Sequence, residues 1–192
     1  MPNICVENVQ SEHIAQCSEL CNELMALQRA KARIHPECFD GMDFHTRMEK
    51  SYIHALRKQV VIAKDGAEPI GYVFSTIDFI TEDARKYVPE WAPAGTGQTG
   101  FYPDRVKLPQ HIGCLNNLYL RPAYHRTGLG KKLLSLSVQW FESFTDVPLI
   151  FVYVSNGNDT ALDFYRHHGF AYSHDVFGGF IHALYKKNSS LA

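Results

Sequence analysis

The chain has 192 residues, of which 45% are hydrophobic and 20% charged, and its formal net charge is −1. This balance is typical of one globular domain with a sizeable core, and it argues against nucleic acid or an anionic membrane as a partner, because both need clustered Lys and Arg. No apolar run approaches the roughly 20 residues of a membrane span, and the opening residues MPNICVENVQ do not resemble a secretory signal, so we expect a cytoplasmic protein.

The first part of the chain is predicted to mix strands and helices. In chain order we expect a strand over 4–9, a helix over 13–34, a helix over 42–57, and strands over 59–64 and 69–77. The first helix is predicted from a stripe of apolar residues at spacings of three and four, and His35-Pro36 ends it. The two later strands flank Asp65-Gly66, which is typical of a hairpin turn.

The first predicted helix also places His13, Cys17 and Cys21 on one face, a geometry that can present three metal ligands. The chain has no second cluster of such residues to complete a site. We therefore interpret the two thiols as small apolar side chains packed beneath a helix, and we expect no bound metal. The cysteines are odd in number and form no CxxC pair, which argues against a disulfide framework.

Residues 79–111 are predicted to form a long irregular insertion between two strands. Residues that break regular structure are frequent within it: Pro89, Pro93, Gly95, Gly97, Gly100, Pro103 and Pro109. Several aromatic residues, Tyr87, Trp91, Phe101 and Tyr102, can bury surface area, which argues against disorder. We expect either a lid or wall over a site, or a contact between subunits.

The segment over 115–130, LNNLYLRPAYHRTGLG, is the most informative part of the chain. A strand-like apolar run is followed by a turn and by Gly128-Leu129-Gly130, which opens an amphipathic helix. Glycine lets backbone N–H groups approach a ligand closely, and the helix dipole presents its positive end there, so the segment predicts a phosphate site. A Walker loop and a dinucleotide fingerprint are excluded, because they need Gly in place of His125 and of Leu133, respectively.

A second segment has a separate pattern. An apolar run over 149–154 is followed by Asn158-x-x-Ala161-x-x-x-Tyr165 and then by Gly169-Phe170, and a last strand is predicted over 180–185. Interpreted locally, Asn158 or Asp159 is a helix N-cap and Gly169 is a helix terminator. Tyr165 is also consistent with a core position on that helix.

Together the two segments resemble the GNAT superfamily of N-acetyltransferases. Its signature places Gln or Arg, two residues, Gly, one residue, and Gly or Ala after a strand that ends in aliphatic-x-Pro. Leu120-Arg121-Pro122 and Gly128-Leu129-Gly130 fit, whereas His125 occupies the first signature position. The resemblance implies one N-acetyltransferase-like domain over 1–192, of mixed α/β class. Its central sheet is expected to be mostly antiparallel, with six to seven strands flanked by helices and a phosphate loop between a central strand and the following helix.

The resemblance also implies a reaction and a set of cofactor contacts. An acetyl group moves directly from the cosubstrate acetyl-CoA to a primary amine of a small molecule or peptide. The diphosphate binds at the loop and helix start, the pantetheine arm pairs with the preceding strand, and a separate Asn contacts the acyl-CoA. The expected cofactor-binding residues are Leu118, Tyr119, Leu120, His125, Arg126, Thr127, Gly128, Leu129, Gly130, Lys131 and Asn158. Lys131 and Lys132 are also consistent with a solvated helix face, and the two glycines with a simple turn.

Tyr165 and Asn116 are the expected catalytic residues. The resemblance places Tyr165 near the thioester sulfur, where a phenol can return a proton to the leaving thiolate. Many relatives have Glu at the position of Asn116, and an amide cannot act as a base. Asn116 could instead hold a water that passes the amine proton to Asp78, His111 or Glu37.

Two other interpretations stay open. Asn116 in place of an acid is consistent with an acyl-CoA-binding regulatory domain without turnover, and an unrelated α/β domain could carry both motifs by chance. We favour the enzyme, because an intact pattern from Asn158 to Tyr165 is unexpected in a protein that only binds. The resemblance is also consistent with a homodimer.

Overall fold

The computed structural model describes residues 3–95 and 99–189. Within these ranges the strands are β1 (Ile4–Asn8), β2 (Arg57–Asp65), β3 (Glu68–Ile80), β4 (Gln110–Leu120), β5 (Leu149–Ser155), β6 (Ala171–Val176) and β7 (Ile181–Lys187). The helices are α1 (Ser18–Lys31), α2 (Lys50–His54), α3 (Leu129–Glu142) and α4 (Asp159–His167). Short 3-10 segments and a π-helical turn, Phe44–Glu49, connect them. None of the described helices is long and apolar enough to cross a membrane.

The described strands form one seven-stranded sheet in the order β1-β2-β3-β4-β5-β7-β6. Every neighbouring pair is antiparallel except β4 and β5, which are parallel. A parallel pair needs a crossover connection, and α3 lies in the connection between these two strands. The expected fold class is confirmed: a mixed α/β protein with a mostly antiparallel sheet of six to seven strands, flanked by helices.

Helices cover both faces of the sheet because the central strands bury apolar side chains on each face. In β3, Val73 and Ile77 pack in the cluster that includes Leu133 of α3. Tyr72 and Phe74 point to the opposite face and pack in the cluster formed with α1. The connection from β4 to α3, which the sequence predicts as a phosphate loop, therefore starts at the end of a central strand.

Some predicted boundaries differ from the structure. The helix predicted over 13–34 begins as a 3-10 segment at Ser11 and ends at Lys31. The helix predicted over 42–57 is a π-helical turn followed by α2, and the chain has already entered the sheet at Arg57. Strand β6 is missing from the prediction, because its sequence AYSHDV lies at the sheet edge and lacks an apolar alternation.

Cys17 and Cys21 are buried in the cluster that α1 forms with the sheet, whereas His13 is exposed. Burial raises the pKa of the Cys17 thiol to about 12. A thiol in this state packs as a small apolar group and is a poor metal ligand, since metals bind the thiolate. In the part of the chain that the structure describes, no group of three or more His, Cys, Asp or Glu residues is placed to hold a metal ion.

Candidate active site

A wedge opens between β4 and β5, the parallel pair at the centre of the sheet. The two strands pair only over Ile112–Leu115 and Leu149–Val152, although β4 continues to Leu120 and β5 to Ser155. Among the described residues, 117–120 have β3 on one side and no strand on the other. Their backbone groups on the β5 side are therefore available to an extended ligand, as at the edge of a sheet.

Asn116 lies at the point where the wedge begins. It is the extra residue of a β-bulge, because Phe74 of β3 pairs with Asn117 and Ser75 pairs with Leu115. Successive residues of a regular strand point to opposite faces, yet Asn116 and Asn117 both line the wedge. The bulge thus brings two neighbouring amide side chains to one side of β4.

The loop before α3 has the backbone shape of an anion-binding site. Arg126 (φ 61°) and Gly128 (φ 85°) both lie in the left-handed region, a conformation that forms concave nests of N–H groups. The N–H of Lys132 donates to the Gly128 carbonyl (3.0 Å), and this is the first backbone hydrogen bond of α3. Within the described structure, the preceding N–H groups of Arg126, Thr127, Gly128, Gly130 and Lys131 have no protein acceptor. They can donate to a diphosphate at the positive end of the α3 dipole.

The space above this loop contains no described side chain that would obstruct a ligand. A Cβ atom added at Gly128 would meet nothing within 4 Å, and one added at Gly130 would meet only the Phe164 ring, at 4.0 Å. The positive φ of Gly128 favours glycine at this position, whereas Gly130 lies inside α3 and has no such preference. A side chain at Gly130 would therefore occupy the space of a ligand and not that of the protein.

His125 and Thr127, both expected to bind the cofactor, use their side chains to hold the loop. His125 Nε2 donates to the carbonyl of Leu120 at the end of β4 (2.7 Å), and its backbone N–H donates to Pro122 (3.1 Å). The hydroxyl of Thr127 donates to the Tyr124 carbonyl (2.7 Å). His125 therefore positions the loop, and Thr127 retains only its backbone N–H for a phosphate.

The positive charge of Arg121, near this loop, is already paired with carboxylates of the protein. Its guanidinium pairs with the carboxylates of Glu19 (3.2 Å), Glu23 (2.8 Å) and Glu68, which tie the end of β4 to α1 and β3. Arg126, Lys131 and Lys132 are exposed, and no ion pair of these three occurs among the described residues. These three cations are therefore available to a phosphate group.

Tyr165 of α4 lines a small cavity of about 40 Å³ in the wedge, together with Asn116 and Leu118. Its ring packs edge-on against Phe170, with 5.6 Å between the ring centres, and belongs to the main core. Burial raises the pKa of its phenol above the usual value, so the hydroxyl stays protonated and can donate a hydrogen bond. Tyr165 is therefore both a core residue and a residue that lines the cavity.

Asn158 lines the same cavity from the start of α4. Its side chain does not cap its own helix, because Oδ1 accepts from Lys31 Nζ (3.2 Å) instead. Asn156, which the sequence analysis does not single out, accepts at Oδ1 from the backbone N–H groups of Arg33 (2.6 Å) and Ile34 (2.9 Å). Together the two amides hold the end of α1 against the start of α4.

A larger cavity of about 360 Å³ adjoins the wedge. The two cavities share Gln28, Asn116, Asn117, Tyr153 and Ser155. The insertion between β3 and β4 lines the larger cavity through Tyr87, Trp91, Phe101 and Tyr102. Phe101 is anchored, because its ring packs edge-on against Phe177 (5.2 Å) and its carbonyl accepts from the Tyr153 hydroxyl (2.9 Å). These aromatic residues form a wall, and the subunit contact stays a prediction; Gly97 and its neighbours at 96 and 98 lie outside the described residues.

Asp78 lines the larger cavity, unlike the other two residues considered as proton acceptors. Its Oδ1 accepts from the backbone N–H of Leu56 (3.0 Å). His111 pairs with Asp146 (3.1 Å) and Glu37 belongs to an exposed pair, and neither lines the two cavities described above. The structure therefore brings only Asp78, of these three, to the same cavity as Asn116.

Arg47 and Ser155 also line the larger cavity, and neither is among the site residues predicted from the sequence. In the described structure, Ser155 Oγ and Arg47 Nε are buried and have no hydrogen-bond partner. Ser155 lies where the two cavities meet. The sequence carries a weak signal for Arg47 alone, since a charged residue stands between Phe44 and Met48, which are both buried.

Comparison with known proteins identifies the family. A model of the acetyltransferase (GNAT) family matches residues 24–170. No curated protein matches the chain. Among solved structures, a GNAT-family acetyltransferase from Streptococcus pneumoniae is 17% identical, with a TM-score of 0.59 over 96% of this chain and 99% of that one.

Two further structures share the fold at similarly low identity. PaiA N-acetyltransferase from Thermoplasma acidophilum, in complex with coenzyme A, is 16% identical, with a TM-score of 0.58 over 96% of this chain and 99% of its own. Arabidopsis thaliana NAA60, in complex with acetyl-CoA, is 15% identical, with a TM-score of 0.55 over 96% and 98%. The family match over most of the chain, together with the wedge and the loop, leads to one conclusion: this chain belongs to the acetyltransferase (GNAT) family.

Proposed function

We propose that this protein transfers an acetyl group from acetyl-CoA directly to a primary amine. The proposal depends on one observation: the two cavities meet at Asn116 and Ser155, where an unpaired strand edge begins that leads to the phosphate loop. An extended acyl donor on this edge would present its thioester at the junction, and the larger cavity would hold the amine. The coenzyme A and acetyl-CoA complexes of the Thermoplasma and Arabidopsis proteins support the choice of donor.

Main-chain groups would provide most of the donor site. The free N–H groups of the loop and the α3 dipole would bind the diphosphate, assisted by the side chains of Arg126, Lys131 and Lys132. The N–H of Leu129 is not one of these groups, because it donates to Thr127 Oγ1 (3.4 Å). The free edge over 117–120 would pair with the amides of the pantetheine arm, as an added strand does. A backbone N–H of the same edge would then polarise the thioester carbonyl, whose oxygen gains negative charge as the amine attacks.

The acceptor amine must lose a proton before it attacks, because an alkyl ammonium has a pKa of about 10.4. Asn116 cannot accept this proton. Its Nδ2 donates to Thr76 Oγ1 (2.9 Å) and to the Cys114 carbonyl (3.2 Å), which leaves Oδ1 to position a water molecule. Asp78 is a carboxylate of the same cavity, and we assign it as the acceptor that this water reaches.

Tyr165 would stabilise the leaving group. An ordinary thiol has a pKa of about 8.5, whereas burial raises the pKa of the Tyr165 phenol above its usual value. The phenol is therefore the weaker acid, and it serves best by donating a hydrogen bond to the departing sulfur while keeping its proton. Such a bond forms fully only as the thiolate develops, so it lowers the barrier more than it strengthens binding.

Replacing Tyr165 with Phe is expected to lower kcat by roughly 100-fold, as does the loss of one hydrogen-bond donor to a developing negative charge, while the Kd for coenzyme A stays within about twofold of the wild-type value. Thiol release under saturating substrates measures the first quantity, and calorimetry measures the second. Tyr172→Phe, which removes an exposed hydroxyl on β6, is the matched control and is expected to behave as wild type. An unchanged kcat for Tyr165→Phe across the pH range would reduce Tyr165 to a packing residue.

The proposed function is tested by measuring thiol release from acetyl-CoA with a panel of primary amines, after subtraction of release without an amine. We expect at least one amine to accelerate release and to yield the corresponding N-acetyl product by mass spectrometry. Coenzyme A binding without any amine-dependent release would favour the regulatory acyl-CoA-binding domain, which Asn116 in place of an acid keeps as the second candidate. Absence of coenzyme A binding would overturn both. A cytoplasmic location and a homodimer stay predictions.

A further inference from the structure

Arg47 is a cation enclosed at the larger cavity without an anionic partner. Its Nε is buried and has no hydrogen-bond partner, and no carboxylate forms an ion pair with it among the described residues. The guanidinium carbon lies 5.3 Å from the centre of the Trp91 ring. A cation–π contact of this kind stabilises the charge but gives Nε no hydrogen-bond acceptor. Such a charge is costly to bury unless a ligand completes its partners.

The protein groups that interact electrostatically with Arg47 cannot supply that partner. These groups are Cys21, Tyr72 and Cys114, and all three are neutral, because burial raises the pKa of each side chain. Asp78 lines the same cavity, but its Oδ1 accepts from a backbone N–H and it forms no ion pair with Arg47 in the described structure. The cavity thus contains one unpaired cation and one separate carboxylate.

We infer that the acceptor is a small amine that carries a carboxylate, which Arg47 binds, and an apolar or aromatic body, which the wall of the insertion encloses. This inference rests on the proposed function and narrows its substrate class. The planar fork of a guanidinium suits a carboxylate because it can donate two parallel hydrogen bonds. The cavity volume of about 360 Å³ is at the small end of ligand sites and suits a molecule of amino-acid size.

The charges of the cavity complement those of such a ligand. Arg47 would hold the carboxylate, the junction at Asn116 and Ser155 would receive the amino group, and Asp78 would take up the proton that the amino group loses. Trp91, packed on one side of the guanidinium, would at the same time form part of the surface against which the apolar body lies. An amine without the carboxylate would leave the half-buried guanidinium unpaired, so the site would disfavour it.

Matched pairs of amines that differ by one carboxylate test the inference. We would compare L-phenylalanine with 2-phenylethylamine and L-leucine with 3-methylbutylamine, as acceptors in thiol release and as ligands of the coenzyme A complex in calorimetry. The carboxylated member of at least one pair is expected to be preferred by roughly tenfold or more, since a hydrogen-bonded charge contributes on this scale. Equal or weaker binding of the carboxylated member in every pair would overturn the inference.

The two amines of a pair also differ in basicity, and Arg47→Gln separates this effect from recognition of the carboxylate. The difference in basicity affects the wild type and the variant equally, whereas carboxylate recognition by Arg47 is lost in the variant. The ratio of kcat/KM, or of Kd, between the members of a pair is expected to fall towards one in Arg47→Gln, to fall less in Arg47→Lys, and to keep its wild-type value in Lys50→Gln, an exposed control. An unchanged ratio in Arg47→Gln would refute the assignment. If amines accelerate thiol release but those with a carboxylate are not preferred, the proposed function stands and only this inference fails. If none of the amines in a broad panel accelerates thiol release, the proposed function itself fails.

Discussion

Gly130→Val is expected to raise the Kd for coenzyme A by roughly 100-fold or more, because the loss of two charge-assisted hydrogen bonds costs about 3 kcal/mol. A branched side chain at this position would fill the space through which the diphosphate reaches the N–H groups before α3. The Cβ atom itself has room within the protein, since it meets only the Phe164 ring at 4.0 Å. Calorimetry with coenzyme A measures the effect, and thermal unfolding checks that the fold is retained.

Two further variants make this result specific. Gln139 lies on the exposed side of α3. Gln139→Val introduces the same β-branched side chain and so the same loss of helix propensity, but we expect it to bind coenzyme A as the wild type does. Gly130→Ala should weaken binding less and raise the thermal midpoint, because alanine favours the helix by up to about 1 kcal/mol over glycine. Binding within twofold of wild type in Gly130→Val would mean that the diphosphate lies elsewhere.

Gly157→Ala is expected to destabilise the protein by roughly 3 kcal/mol, or about 6–12 °C in thermal midpoint for a chain of this size. Gly157 (φ +79°) follows β5 at the point where the end of α1 comes closest. A Cβ there would overlap the carbonyl oxygen of Lys31 and would lie 2.9 Å from the carbonyl carbon. Both atoms are backbone, so the end of α1 must move away and the contacts of Asn156 with Arg33 must loosen.

Gly41→Ala is the matched control for this variant. Gly41 (φ +75°) has nearly the same backbone conformation, but a Cβ there would meet nothing within 4 Å. Gly41→Ala should therefore lower the free energy of unfolding only by the cost of placing alanine in the left-handed region, about 1 kcal/mol. Equal losses in the two variants would mean that the close approach of α1 contributes nothing to the stability.

Much of the fold can be predicted because nearby residues mark it. The hairpin of β2 and β3 turns at Asp65-Gly66 as predicted, and α4 ends before Gly169, whose φ of 85° explains why glycine stands there. Strand β6 has no comparable signal in its own sequence, because it forms a strand only through its pairing with β7. The π-helical turn at Phe44–Glu49 is equally hidden, because apolar spacing does not distinguish it from an α-helix.

The candidate site divides in the same way. The loop over 125–131 is one contiguous segment, so its glycines and the following helix reveal it. Asp78 and Ser155 are distant in sequence and line one cavity because the sheet order places β3, β4 and β5 side by side, and Arg47 reaches the same cavity from the π-helical turn. The bulge at Asn116 and the burial of Arg47 are likewise products of tertiary packing. A single sequence therefore indicates the loop before α3 better than it indicates the lining of the larger cavity.

The insertion between β3 and β4 separates two kinds of recognition within one molecule. The donor is expected to be recognised mainly by backbone N–H groups, which every amino acid except proline supplies, so we expect it to depend on few side chains other than the two glycines of the loop. The aromatic wall is the opposite case, since each of its contacts depends on the identity of a residue outside the hydrogen-bonded ladder of the sheet. If the proposed function is correct, a few substitutions between positions 87 and 102 would therefore change which amine the protein accepts. The transfer of the acetyl group from acetyl-CoA would stay the same.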